Sequence, residues 1–313
     1  MANQSYVKEF ILIGFPGLEE KFFTVVSLTI FFVYNVSVCA NVTVLVLIVL
    51  RAHLHQPMYV IIANLAFADL LFDTITLPKI IARYWFRDGS IPYNLCFFQM
   101  FFVHHLSPLD SFIILLMAVD RYVAICNPLR YHNIISNKII VILCSLCWLT
   151  AAIISLSVTS FGVQLPYCGP NMVKNFYCAV TPVGVLSCAD SLWARKSSYY
   201  IGIVAHMGSL SFIIFSYVII IVKVYSTACN ENWQKALYTC VTHWFVIVIY
   251  FVPRLVVYTY DQAQLIPNAD INVLLICLYT YVPHFSSPII FCLRTEEIKK
   301  TLTKILKRRT ITL

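Results

Sequence analysis

An acid, a base and a phenol stand side by side at Asp120, Arg121 and Tyr122, near the end of a long apolar run that closes on Cys126. An ionisable pair in such surroundings is costly in lipid unless it faces a protein interior or the water boundary, so its default reading is functional. The chemistry open to the pair is exchange of partners, because arginine stays charged and can trade one set of planar hydrogen bonds for another. Two more acids, Asp69 and Asp110, fall inside apolar segments, Asp110 about three helical turns from Asp120. If their helices run antiparallel the two acids share a depth. Buried carboxylates repel, so either one binds a proton or a cation lies between them. The plainer alternative is an Asp69 hydrogen-bonded to Asn41 and Ser287. A third group, His104, Ser107, His206, Arg254, Tyr258 and Gln262, is scattered through otherwise apolar stretches. A few polar groups in an apolar wall are what a small-molecule pocket needs. No metal-binding or nucleophile motif joins the histidines, acids and cysteines at matched depths, so an enzyme is not expected.

The elements that must position these groups follow from composition. Of 313 residues, 60% are hydrophobic and 12% charged, with mean hydropathy +0.81. A soluble domain carries about 25% charge, and a bilayer removes the need for that polar surface. Spanning its core takes roughly 20 apolar residues. Runs of that length are expected near Phe22–Leu50, Pro57–Ala82, Tyr93–Cys126, Ile139–Phe161, Ser197–Val222, Ala236–Val252 (continuing to Tyr260) and Ile271–Leu293. The alternating ten-residue strands of a membrane barrel are absent. The fold class is therefore an all-α membrane protein, a seven-transmembrane helix bundle over residues 22–293. An outer leader, 1–21, precedes it and a cytoplasmic tail, 294–313, follows.

Lysine and arginine set the orientation. Twelve lie in the loops and tail on one side, from Arg51 and Arg130 to Arg308 and Arg309, and eight on the other, among them Lys8, Lys174 and Arg254. The basic tail is thus inside, the amino terminus outside. The leader lacks the pattern of a cleaved signal peptide, so the first span is expected to serve as the insertion signal. In the tail, Ile298, Leu302, Ile305 and Leu306 share one helical face below Glu296 and Glu297, with basic residues largely elsewhere. That is a short amphipathic helix lying on an anionic leaflet. The net charge of +8 has this membrane explanation, and no nucleic-acid partner is expected. Asn3-Gln4-Ser5 matches the glycosylation acceptor in the exposed leader. Cys96, Cys168, Cys178 and Cys188 fall on the oxidising side, where disulfides persist, and spacing leaves three pairings open. The remaining cysteines, Cys39 and Cys144 among them, are expected to fill space between helices, and Cys292 at the inner edge is a palmitoylation candidate.

Several motifs, in order along the chain, resemble the odorant receptors, a branch of the rhodopsin-like G-protein-coupled receptors. They are Gly14-Phe15-Pro16-Gly17-Leu18, Leu54-His55-Gln56-Pro57-Met58-Tyr59, Met117-Ala118-Val119-Asp120-Arg121-Tyr122 with the following loop to Tyr131, Lys235-Ala236-Leu237-Tyr238-Thr239-Cys240, and Ser287-Pro288-Ile289-Ile290-Phe291. The leader and His104 lean toward the fish-like class, which takes water-soluble, often acidic odorants. The resemblance implies a switch in which Asp120 holds Arg121 at rest and releases it toward a G protein, with Tyr122, Tyr217, Pro288 and Phe291 taking part. It implies a sodium pocket at Asp69 and Asp110 as the one cofactor-like group. It implies disulfides Cys96–Cys178 and Cys168–Cys188, and an odorant pocket lined by His104, Tyr258 and Gln262. Partners would be a small-molecule odorant, a stimulatory heterotrimeric G protein and the bilayer, at the plasma membrane.

Departures from the family pattern are informative. Ser287 and Phe291 stand where the family has asparagine and tyrosine, and Tyr250-Phe251 reverses its usual order. Phe291 lacks the hydroxyl that could join Tyr217 in the active state. Val103 replaces the acid of amine receptors, and the seventh span holds no lysine for a retinal Schiff base. The resemblance to the fish-like class implies that Arg254 or His104 meets an anionic or strongly polar ligand. A non-olfactory rhodopsin-like receptor is the alternative. A seven-span transporter is less favoured, because the inverted symmetry it requires is missing.

Overall fold

The computed structural model describes residues 7–226, 233–262 and 268–294. Asn3, the amphipathic segment after Arg294 and the side chain of Gln262 lie outside what is described. Seven long helices dominate the rest: α1 (Phe23–Leu50), α2 (Pro57–Trp85), α3 (Tyr93–Cys126), α5 (Asn137–Val163), α7 (Leu192–Ser226), α8 (Trp233–Gln262) and α9 (Ala269–Arg294). Two short ones, α4 (Tyr131–Ile134) and α6 (Val180–Gly184), sit in loops at opposite ends of the bundle.

Six of the long helices are long and apolar enough to cross a membrane by themselves. The seventh, α3, is the one most enclosed by its neighbours: Met100, Leu106, Leu109, Ile113 and Ile114 are all fully buried. Its 34 residues rise about 50 Å, well beyond a hydrocarbon core of about 30 Å, which is long enough to cross with residues to spare at its ends. Large apolar side chains such as Phe32, Val49, Val204 and Phe215 are exposed on the outer surface of the bundle. In water that surface would be an aggregation hazard; in lipid it is the solvent-facing side. A helix pairs its backbone groups internally, which is the condition for sitting in lipid; Pro78, Pro108, Pro253, Pro283 and Pro288 each interrupt that ladder by one donor.

The leader is structured in a way the sequence reading did not foresee. Residues Glu9–Leu12 form β1, the middle strand of a small sheet, with β2 (Ser90–Pro92) antiparallel on one side and β3 (Met172–Val173) parallel on the other. The register places Phe10 opposite Ile91 and Leu12 opposite Val173. Phe10 and Leu12 alternate with Glu9 and Ile11 and are fully buried. Phe10 meets Tyr167 edge-on with ring centroids 5.4 Å apart. Burying two such side chains stabilises the docked leader by about 1.5–3 kcal/mol each.

Beyond β1 the chain turns at Gly14, whose φ of 73° lies in the left-handed region. The Tyr84 hydroxyl accepts from the Phe15 N–H (2.8 Å) and donates to the Ile13 carbonyl (3.2 Å), so it clasps the turn. A Cβ at position 14 would collide with that hydroxyl. Gly14→Ala is therefore expected to cost at least about 1–2 kcal/mol, read as a melting temperature several degrees lower in purified receptor. An unchanged melting temperature would show that the leader is not docked through this turn. Outside the spans, the Lys79 ammonium (3.0 Å) and Ser90 hold the Asp88 carboxyl down at about 2, and Glu20 pairs with Arg87 at 2.8 Å.

Candidate functional site

The polar side chains fall into three layers along the bundle. The outer layer is a cavity of about 600 Å³ between α3, α5, α7, α8 and α9, roofed by the loop that contains α6. Its wall includes His104, Ser107, His206, Arg254 and Tyr258, five of the six expected ligand residues. The roof is fastened by a disulfide from Cys96, at the outer end of α3, to Cys178, and a second disulfide joins Cys168 to Cys188 within the loop. The Cys178 N–H donates to Gln99 Oε1 (2.8 Å), and the Val180 N–H donates to His104 Nε2 (3.2 Å). His104 therefore accepts through Nε2, which makes it a neutral ring pinned to the roof, with Nδ1 carrying the proton. Its neighbour His105 turns away and packs on Phe101 and Trp148. At the roof, burial pushes the Tyr177 phenol up to about 12, so it offers the cavity a proton donor rather than a charge.

Arg254 was counted among the outer loop charges. The structure instead buries it inside α8, where it is 2% exposed. Its guanidinium lies over the Tyr279 ring at 5.4 Å, and Nη1 is 3.3 Å from His206 Nδ1. Arginine only donates, so His206 Nδ1 accepts from it, and Ser111 Oγ is 2.7 Å from the same nitrogen. That tautomer leaves Nε2–H facing Ser107 Oγ at 3.4 Å. Among the described residues Arg254 has no carboxylate within ion-pair distance, and its Nε has no hydrogen-bond partner. The acid that shares the cavity wall is Asp110, which senses the guanidinium through space without forming an ion pair with it. A buried cation that lacks a direct partner is expensive. Tyr258, one turn on, lends its ring to His206 (centroids 6.1 Å apart) and its carbonyl to the Tyr199 hydroxyl.

The middle layer lies beneath the cavity floor. Asp69 accepts hydrogen bonds from Tyr250 Oη (2.8 Å) and Ser287 Oγ (3.1 Å). Asn41 is not its partner: the Asn41 amide donates to the carbonyls of Ser37 and His284, each at 3.0 Å. Two residues here escaped the sequence reading. Asp73, one helical turn from Asp69, accepts from Ser37 Oγ (2.5 Å) and lies 2.7 Å from His284 Nδ1. The other ring nitrogen of His284 is 3.6 Å from Asp69 Oδ1 and 3.7 Å from Asp110 Oδ2. Sodium prefers a cage of oxygens. Here a histidine nitrogen faces both acids, so the donor set is mixed, and α1, α2, α3, α8 and α9 all contribute to one polar knot. The reversed Tyr250-Phe251 order has a consequence here, since it sends the Tyr250 phenol onto Asp69.

The inner layer holds the acid–base pair. Arg121 Nη2 is 3.2 Å from Asp120 Oδ2, near enough for an ion pair though poorly aimed for a hydrogen bond. The guanidinium also contacts the Met58 sulfur at the start of α2. The Tyr131 hydroxyl of α4 donates to Asp120 Oδ1 at 2.8 Å. Burial, then the Asp120 charge, pushes that phenol above its ordinary range, so it remains a donor. Tyr122 is half-buried against the core. Tyr217 of α7 is not reaching for α9. Its hydroxyl is 2.5 Å from His243 Nδ1 on α8, while Phe291 is buried on α9 beside Pro288.

A bundle of seven membrane helices with a roofed outer cavity, a polar knot at mid-depth and an inner Asp-Arg pair defines a rhodopsin-like architecture. The crystal structure of squid rhodopsin aligns with 94% of this chain and 87% of its own, at TM-score 0.74 and 14% identity, which speaks to the fold. A model of the olfactory receptor family matches residues 30–309. Mouse olfactory receptor 4E2 is 34% identical over 98% of both chains, and human olfactory receptor 10G4 is 33% identical over 97% of each. The chain belongs to the olfactory receptor family.

Proposed function

We propose that the chain is an odorant receptor for small acidic molecules, placed in the plasma membrane with its amino terminus outside. An odorant carboxylate enters the outer cavity and pairs with the Arg254 guanidinium, taking the place that His206 Nδ1 fills in the empty pocket. His206, freed on that side, keeps Ser111 and Ser107 as partners on α3, which links ligand occupancy to the helix that bears Asp120 and Arg121. A ligand shifts a conformational equilibrium only by its differential affinity for the two states. The charge pair at Arg254 is the term that provides it here. At the inner face, Arg121 leaves Asp120 and Met58 and turns to a stimulatory heterotrimeric G protein, raising cyclic AMP. The observation that carries this reading is the buried guanidinium in the cavity wall, which has no carboxylate within ion-pair distance among the described residues.

A cyclic AMP reporter in cells that co-express an olfactory stimulatory G protein tests the proposal. Small carboxylic acids are expected to give saturable responses, and neutral esters of the same carbon skeletons none or far weaker ones. Arg121→Ala is expected to abolish the response at normal surface expression, because alanine offers nothing to exchange between Asp120 and the G protein. A full response from Arg121→Ala would remove the inner switch, and responses to esters equal to those of acids would remove the role of Arg254.

A further inference from the structure

We infer that the polar knot beneath the odorant cavity is a binding site for one divalent transition-metal ion of the zinc class, held by His284 Nε2 and the carboxylates of Asp69 and Asp110. One donor atom from each residue lies within 4.8 Å of the other two, and all three side chains are buried. The distances suit ligands around one ion, although they are also within ion-pair range for a protonated imidazole. His284 Nε2 stands 3.6 Å from Asp69 Oδ1 and 3.7 Å from Asp110 Oδ2, too far for hydrogen bonds. Two ligands of one tetrahedral ion with bonds of about 2.0–2.1 Å sit about 3.4 Å apart, so the two histidine–carboxylate distances need to close by only a few tenths of an ångström. The carboxylate oxygens of Asp69 and Asp110 lie within 4.8 Å of each other. Asp110 Oδ1 is buried with no hydrogen-bond partner in the structure, so that carboxylate has unused capacity facing the knot.

The surroundings fit the same ion. Asp73 Oδ1 lies 2.7 Å from His284 Nδ1, and Ser37 Oγ fixes the other oxygen of Asp73. A carboxylate on the far nitrogen of a histidine holds the tautomer that leaves Nε2 a bare donor, and it raises the basicity of the ring. Imidazole nitrogen selects zinc, copper or nickel over alkali and alkaline-earth cations, which favour oxygen alone. Ser287 Oγ donates to the second oxygen of Asp69 and so helps to orient that carboxylate. Asp110 and His284 also line the outer cavity, which gives the ion a path from the extracellular side. Bound there, the ion ties α2, α3 and α9 together and neutralises two carboxylates at once.

The test uses the purified full-length receptor, stripped with a chelator, in a buffer rich in sodium chloride, and needs no odorant. Zinc alone is expected to bind at one ion per chain, survive desalting and raise the melting temperature. Cobalt is expected to give the visible absorption of a four-coordinate nitrogen and oxygen site, and X-ray absorption of the zinc form to show no sulfur. His284→Gln and Asp110→Asn are each expected to weaken zinc binding by about 100-fold or more, and Asp73→Asn by about 10–100-fold through the orientation of His284. Failure of wild type to retain zinc overturns the inference, as does equal retention by His284→Gln, a sulfur ligand shell, or stabilisation by sodium where zinc gives none. If His284→Gln does not fold, the wild-type stoichiometry, ligand shell and Asp73→Asn affinity decide the matter. None of these readouts depends on whether acids are the receptor's odorants.

Discussion

Replacing Arg254 with methionine is expected to move the half-maximal concentration of an acidic odorant upward by roughly 30-fold to several thousand-fold, the equivalent of about 2–5 kcal/mol. Truncating one member of a desolvated charge pair costs that much because the ligand carboxylate is left buried and unpaired. The side chain also fixes the sign of a second effect. In the ligand-free receptor Arg254 is 2% exposed and leans on a neutral histidine and a tyrosine ring. Arg254 has no direct ion pair to lose among the described residues, so Arg254→Met should express at the surface as well as wild type or better. Loss of response with gain of stability separates a binding role from a structural one. Arg254→Lys keeps the charge without the planar fork and should fall between the two. His104→Ala, which frees the roof at the Val180 N–H, is expected to act more weakly. Equal responses from Arg254→Met and wild type would leave the cavity without its anion anchor.

The long helices were legible because lipid imposes one length and one composition on anything that crosses it. The ends of α3 fall at Tyr93 and Cys126, as the apolar run indicates. Helix α7 begins five residues before the expected Ser197, at Leu192, since a helix can continue past the hydrocarbon edge into the headgroup region with Arg195 and Lys196 along its first turns. The strand Glu9–Leu12 left too little trace: four residues of alternation are common by chance, and its two partner strands lie some 80 and 160 residues away. Cys39 was expected to fill space between helices and is exposed on the bundle surface, because the apolar run of α1 does not reveal which face meets lipid.

The sites divide along the same line. The Asp120–Arg121 pair is contiguous, so its chemistry is visible in the chain itself. The knot at mid-depth is assembled from α1, α2, α3, α8 and α9, and only Asp69 and Asp110 stood out as charges in apolar runs. Asp73 carried a readable signal, because it follows Asp69 by one helical turn and so shares its face. His284 carried the same signal as His206, a histidine inside an apolar span, but nothing along the chain pointed to the three acids that surround it. Arg254 reads along the chain both as a charge of the outer set and as a pocket residue, within a run expected to continue to Tyr260; the structure puts it inside α8, in the cavity wall.

The second large effect is expected at the roof. Cys96–Cys178 closes a segment of 82 residues, and on the chain-entropy account a loop of that size is worth about 4–5 kcal/mol, an upper bound where the unfolded chain keeps its helices in the membrane. The contacts around it make the loss cooperative. Gln99 receives the Cys178 N–H and donates its own amide to the Ile75 carbonyl (2.9 Å), so the bond positions α2 and α3 as well as the loop. Val180, two residues on, holds His104. Cys178→Ser is therefore expected to lower surface expression severely and to remove the odorant response of whatever receptor reaches the membrane. Cys168→Ser opens a span of only 20 residues within the loop and should cost less, about 3 kcal/mol on the same account, with a response that persists at reduced efficacy. Surface labelling of both variants alongside the cyclic AMP reporter distinguishes the outcomes. If Cys178→Ser were expressed and activated like wild type, the cavity roof would have to be held by the leader sheet and its hydrogen bonds alone.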